Sequence, residues 1–280
     1  TFVVDNIGID TYVVNNESDL STQLNSAASG DVILLENASN PSAPLTINLT
    51  GTLAGSVDGL TIDGTSIPNR VGILTSPQSS PFSILDMGTY SLAQIRNIEM
   101  NDGSGGANQG GAITTSSITN GIQNAAFRRN STSNGTGGGA IYVSSSFGGL
   151  ITGGVHFDSN KALQGSGGAI HVNGDFSGSV DGTGGDVHFD RNEAAANGGG
   201  MYVRGNFGTT GSDSRIYTNN FANNKAGQDG GGLYVGGIFI GDLAAYSFFD
   251  GNTADRNGGG IFVGGVITGG IHGSPFTNNT

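Results

Sequence analysis

Three sets of side chains recur at spacings where they could do chemistry. Asp158, Asp190 and Asp250 each follow a phenylalanine, and stacked in a column they would offer oxygen ligands to a hard cation such as Ca²⁺. His156 and His188 each precede the same phenylalanine, and two imidazoles brought together there could hold a metal or titrate near neutral pH. Tyr142, Tyr202, Tyr234 and Phe262 each directly follow a glycine-rich tetrapeptide, and a column of rings could stack on sugars.

Each set has a plainer reading. Arg128, Ala222 and Thr277 occupy the aspartate position in other copies, which is the pattern of a solvated outer face rather than a ligand column. The histidines fit exposed strand positions, and the aromatics fit contacts between neighbouring coils or chains. Arg191 is the one cation beside Asp158 or Asp190, so a lyase-type base with a carboxylate clamp lacks partners. Asp58, Asp63 and Asp86 show no distinctive acid–base spacing. The expectation is no catalytic, cofactor-binding or metal site, and no enzyme.

These positions are defined by an internal repeat. Phe-x-x-Asn occurs at Phe127 and Asn130, Phe157 and Asn160, Phe189 and Asn192, Phe221 and Asn224, Phe249 and Asn252, and Phe276 and Asn279. Ile98 to Asn101 reads as a degenerate earlier copy. Between these copies lies Gly-Gly-(Ala/Gly)-(Ile/Leu/Met), as in Gly138-Gly139-Ala140-Ile141 and Gly230-Gly231-Gly232-Leu233. Successive phenylalanines lie 30, 32, 32, 28 and 27 residues apart, whereas the step from each to the next second glycine is 12, 11, 10, 10 and 10. One half of the repeat is therefore nearly fixed, and the other half absorbs insertions.

Within a repeat, residues 140–143, 150–152 and 155–157 read as short strands bounded by glycine or serine. Three strands and three turns in about 30 residues describe one coil of a three-sided solenoid. The predicted fold is all-β: a right-handed parallel β-helix of roughly ten coils, roughly 45–50 Å long at the strand spacing of about 4.8 Å. The six Phe and six Asn residues of the motif are the expected structural ladder, with rings stacked inside and amides bonding along the corner. Residues 1–97 read as a cap with irregular coils, and residues 98–280 as regular coils continuous with them. Residues 17–28 carry Leu20, Leu24 and Ala27 on one face, with Gly30 beyond, and predict a short helix over the open end.

Composition narrows function by exclusion. Glycine makes up 52 of 280 residues, yet it does not recur every third position and proline numbers 6, which excludes collagen. Charged residues are 11% with a net charge of −12, so there is no basic stripe for nucleic acid or an anionic membrane. Cysteine is absent, and no run of 18 apolar residues predicts a spanning helix, so direct membrane insertion is not expected. The last residues follow a Phe-x-x-Asn copy immediately, so either the natural chain continues or the end stacks on another molecule.

The alternating Gly-Gly-Ala-Ile and Phe-x-x-Asn segments over residues 98–280 resemble the repeats of the chlamydial polymorphic outer-membrane proteins, which are autotransported surface adhesins. Residues 11–35 look like the opening coil of bacterial pectate-lyase-like surface proteins. Two features depart from the chlamydial pattern: no membrane barrel follows, and the third small residue drifts from Ala to Gly. The resemblance implies an extracellular or cell-surface location and a structural or adhesive role, as an adhesin passenger or a filament subunit. Its expected partners are a host or neighbouring cell surface, or the chain itself, through head-to-tail stacking or strand addition by residues 1–4. A polysaccharide lyase, a glycosidase or a glycan-binding module on the same fold is the alternative. No cofactor is expected.

Overall fold

Strands of two to four residues cannot satisfy their own backbone groups, so each must pair with a neighbour. In the computed structural model, which describes all residues except 1, 5–7, 38, 41–42, 65–71, 80, 134, 212–213, 218 and 245, that neighbour is the equivalent strand one repeat away. Ile141–Val143 pairs in parallel with Ile113–Thr115 below and Ile170–Val172 above. His156–Asp158 pairs with Val187–Asp190, and that strand with Asn219–Ala222. Three sheets result, of 17, 8 and 6 strands. The 17-stranded sheet takes two runs from most coils, such as Leu150–Thr152 and His156–Asp158. In two coils these fuse into single long strands, Leu92–Asn101 and Ile118–Arg128.

The molecule is the three-sided parallel β-helix that the repeat predicts, with about eight turns rather than ten. The eight-stranded sheet sets the count of complete turns among the described residues, because each complete turn contributes one strand to it, from Leu53–Ala54 to Ile261–Val263. At about 4.8 Å per coil the rod is about 40 Å long. The count of ten takes in two incomplete turns, the first, with Thr11–Val14, and the last, with Phe276–Thr277. The first turn in fact spends its eight-strand side on a helix.

That helix, α1, spans Glu17–Ser26. The Asn16 side chain accepts the Asp19 N–H at 2.9 Å, and Glu17 and Asp19 lie in the first turn, where the helix dipole favours acids. The helix ends before the expected residue 28, because Ala27 turns to an extended ψ of 158°. Leu20, Leu24 and Ala27 are buried as the spacing predicts. The helix covers the exposed edge of Leu53–Ala54: Asn25 Nδ2 donates to Ala54 O at 3.0 Å, and the Ser56 N–H donates to Leu24 O at 3.1 Å. Phe2–Val4 pairs antiparallel with Thr11–Val14 of its own chain.

Inside the solenoid, Phe127, Phe157, Phe189, Phe221, Phe249 and Phe276 stack face to face, with centroids 4.5 to 5.0 Å apart. A second column that the motif search overlooked runs through Phe147, Phe176, Phe207 and Phe239, at 4.8 to 4.9 Å. Beside the first column runs the asparagine ladder. Asn192 Oδ1 accepts both the backbone N–H and the side-chain N–H of Asn160, at 3.0 and 2.9 Å. Asn192 Nδ2 donates to Phe157 O and to Asn224 Oδ1, each at 3.0 Å. The pattern repeats from Asn130 to Asn279.

A backbone kink makes this ladder reachable. In an uninterrupted strand, residues three apart face opposite ways. Here the residue before each ladder asparagine is left-handed: Arg129, Ser159, Arg191, Asn223 and Asn278 have φ between 54° and 58°. Phe and Asn can then both face inward. The degenerate copy read at Ile98 and Asn101 is displaced by two residues, because Met100 pairs with Phe127 and Gly103 takes the ladder position, donating its N–H to Asn130 Oδ1 at 2.9 Å. The Gly-Gly corner is tight for the expected reason: a Cβ at Gly139 would overlap Gly168 O and lie 2.6 Å from Lys161 N.

Replacing Asn192 by Ala leaves buried groups of two neighbouring coils unpaired, at about 1–3 kcal/mol for each group. The expected loss is about 2–4 kcal/mol, read as a lowered urea midpoint. Lys161→Ala, which breaks the exposed pair with Glu193, should shift stability by less than about 1 kcal/mol.

Candidate functional site

With the interior filled by ladders, chemistry is left to the outer faces. Parallel pairing brings the residue after each Gly-Gly tetrapeptide into one column, Thr114, Tyr142, His171, Tyr202, Tyr234 and Phe262, which Asp86 of the preceding coil extends. His171 was overlooked in the sequence, although it follows Gly167-Gly168-Ala169-Ile170 just as Tyr142 follows its own tetrapeptide. Asp86 to Tyr202 form the floor of a groove of about 830 Å³, walled by Asn108, Gln109, Asn173 and Arg204 among others.

The geometry of this column favours mutual contact over ligand stacking. Ring centroids lie 5.2, 4.6, 5.0 and 5.1 Å apart from Tyr142 to Phe262; His171 is tilted by 51° and 44° against Tyr142 and Tyr202, whereas Tyr202, Tyr234 and Phe262 stack face to face. Tyr142 keeps only 7% of its surface exposed and His171 only 4%. Nδ1 of His171 lies 3.1 Å from Ser166 O and must carry the proton there, because a carbonyl only accepts. Burial pushes the imidazole pKa down to about 4, so it sits in the column as a neutral ring. The polar floor is also engaged: Gln109 Nε2 donates to Asp86 Oδ2 at 2.9 Å, and the Gly110 N–H donates to Thr114 Oγ1 at 3.0 Å.

The second face lies along the phenylalanine motif. His156 and His188 stack at 4.8 Å with ring planes 7° apart, as their shared repeat position implies. Burial, followed by the neighbouring His188 and Arg128, lowers the His156 pKa. Asp158 and Asp190 are paired in register, but Ala222 separates them from Asp250, so the carboxylate column is broken. Arg191 closes over the first two, bonding Asp158 at 2.9 Å and contacting Asp190. Among the described residues, no group of three or more His, Asp or Glu side chains is placed to hold a metal ion. These residues line a groove of about 390 Å³ that also takes in Arg128, Asn220 and Asn223. It adjoins a smaller pocket through His188 and Asn220.

The remaining acidic candidates serve the fold. Asp63 holds Arg96 at 2.7 Å and Asn97 Nδ2 at 2.8 Å. Asp58 accepts the Ser91 N–H at 2.7 Å, and these contacts hold its carboxyl below the usual range. Most of the ion pairs join one coil to the next: Glu99 to Arg128, Asp102 to Arg129, Asp181 to Arg215, Asp229 to Arg256.

Ladders, corners and coil-to-coil ion pairs define a repeat protein of the parallel β-helix class. The family model for the Chlamydia polymorphic membrane protein (Chlamydia_PMP) repeat matches residues 246–264, a segment that holds one Phe-x-x-Asn copy and the Gly-Gly tetrapeptide after it and is similar to that repeat. No curated protein and no solved structure matches the chain. That repeat match and the parallel β-helix fold are what the chain shares with proteins of that family.

The low pKa of His171 makes stability depend on pH. Unfolded histidine titrates near 6.5 and the folded residue near 4, so between these values the unfolded chain binds a proton that the folded chain does not. Stability conferred by the neutral ring is present above pH 6.5 and is lost as pH falls toward 4. The loss from this residue at pH 5 should be about 2 kcal/mol. His171→Tyr, which matches the rest of the column, should flatten that part of the pH–stability curve in urea titrations.

Proposed function

We propose that the chain is a non-enzymatic, extracellular adhesive rod: a β-helical passenger that presents its outer faces to a host or neighbouring cell. The observation that carries this reading is how the charged side chains are used. Arg96, Arg128, Arg129, Arg191, Arg215 and Arg256 each engage a carboxylate one coil away. A general acid or nucleophile needs a carboxylate poised toward a substrate, whereas a carboxylate held by an arginine of the next coil fastens the rod. The chlamydial repeat supports the surface location, and adhesion is what a rigid rod of two grooved faces can serve there.

Latex beads coated with the folded chain should adhere to cultured epithelial cells several-fold more than beads coated with the heat-unfolded chain. Equal adhesion of the two would defeat the adhesive reading. Release of reducing or unsaturated sugar from polygalacturonate or from neutral glucans would defeat the non-enzymatic one.

A further inference from the structure

The groove of about 830 Å³ opens where the aromatic column stops. Rings fill the outward position from Phe262 down to Tyr142, but Thr114 and Asp86 take the next two levels. From Asp86 to Tyr202 the floor runs along four coil-to-coil steps, roughly 19 Å at about 4.8 Å each. Two groups at its upper end are not spent on the fold. Arg204 alone among the described arginines engages no carboxylate: its Nη1 donates to Asn173 Oδ1 at 3.2 Å, and the residue is exposed. His171 carries its proton on Nδ1 toward Ser166 O, so Nε2 holds a lone pair, and no described group donates to it. Unlike Asn101 Oδ1 and Thr132 Oγ1, which are sealed within the fold, His171 lines an open groove. Asn173 and Arg204 each stand two residues beyond a floor ring, and those rings, His171 and Tyr202, pair in register. Cation and acceptor therefore share one end of the groove.

The remaining lining is almost entirely neutral. Tyr202 adds a hydroxyl without a partner among the described residues, and burial raises its pKa, so it keeps its proton and donates. Thr89, Asn108, Gln109, Thr136 and Ser144 add hydroxyls and amides. The one lining carboxylate, Asp86, lies at the far end, where Gln109 and the Gly88 N–H hold it at 2.9 and 2.8 Å. A complementary ligand thus has an anion at one end, matched to the planar fork of Arg204, and a hydroxyl beside it for His171 Nε2. Its other end is neutral and polar, because a second anion would meet Asp86. The floor strands already pair their backbone with the coils above and below, so a peptide finds no open edge to join. An oligosaccharide with a single carboxylate meets each of these conditions.

We propose that Arg204, His171, Tyr202 and Asn173 anchor a binding site for an acidic oligosaccharide, with one sialate or uronate residue at this end and neutral rings along the groove toward Asp86. The site deepens the adhesive reading, on which it rests, by naming the class of ligand. Arg204 takes the carboxylate, His171 Nε2 accepts a hydroxyl of the same residue, and the Tyr202 hydroxyl donates to a ring or linkage oxygen. Asn108 and Gln109 meet the neutral rings. A polyuronate fits less well, because each of its rings carries a carboxylate and the groove offers one cation.

Calorimetry and ligand-detected NMR on the folded chain test the site, with sialyllactose, a glucuronate-terminated disaccharide, lactose, polygalacturonate, sodium acetate and a tri-aspartate peptide as probes. At least one of the two acidic oligosaccharides should bind about tenfold or more tightly than each of the other four. Arg204→Met should reduce that affinity to the level of lactose while leaving the urea midpoint unchanged, because no carboxylate loses its partner. His171→Phe keeps a ring in the column and removes Nε2, and should weaken the acidic sugar about fivefold. Absence of binding by both acidic oligosaccharides would overturn the proposal. So would acetate or the peptide binding as tightly as they do, full affinity in Arg204→Met, or lowered stability with unchanged affinity in His171→Phe. If beads adhere to cells and no sugar binds, the inference fails while the adhesive reading stands; sugar binding without adhesion gives the reverse.

Discussion

The corner at each Phe-x-x-Asn segment constrains everything else in this molecule. An asparagine facing inward must have both its amide hydrogens and its carbonyl paired, and the group able to do so at every level is the same asparagine one coil away. Asn160, Asn192, Asn224 and Asn252 each satisfy this condition through the next residue of the ladder and the phenylalanine carbonyl of the coil below. A slip of one residue would turn every member outward and leave each amide unpaired, so the ladder pins the register of all three sheets. The phenylalanines supply buried apolar area, but stacked rings tolerate small displacements that a hydrogen-bonded ladder does not.

The near-constant step from Phe to Gly-Gly follows from that corner. Between them lie the left-handed residue, the ladder asparagine, a two-residue strand such as Lys161–Ala162 and the glycine turn, all packed backbone to backbone. Insertions go to the opposite half, where loops face solvent and added residues cost little closure entropy. The longest such half runs from Gly199 to Phe221 and includes Asn219, which stands in register with Val187 and interrupts the apolar column. That interruption thus lies in the half of the repeat that is free to vary.

The two outer faces illustrate how one architecture gives like residues unlike roles. Tyr202 and Tyr234 are aromatic, repeated and partly exposed, yet their stacking at 5.0 Å turns their faces to each other and makes them spacers. Phe248 stands beyond Asn220 in the His156–His188 column and Tyr246 lies two residues before it, and their surfaces stay open. Arg191 lies between Asp158 and Asp190 and converts two candidate cation ligands into a coil-to-coil fastening. In a solenoid, periodicity marks what supports the stack, and departures from it mark what the stack supports.

The amino-acid sequence by itself determined the solenoid, the Phe and Asn ladders, the glycine corner and the capping helix. Each is written in local spacing, because a stacked coil meets only its neighbours and one repeat describes the environment of the next. The sequence alone also sufficed to bring His156 to His188 and Asp158 to Asp190, since shared repeat positions become shared heights. It did not decide the coil count, the place where the ladder begins or the second phenylalanine column. Those depend on which strands pair, and Met100, Gly103 and Phe147 are recognised only through their partners. The unpartnered carbonyls of Asn219 and Asn220 were hidden for the same reason. An asparagine draws no notice in a chain rich in asparagine, and only the tertiary structure reveals that Asn219 stands in register with Val187 and that its Oδ1 is left without a partner.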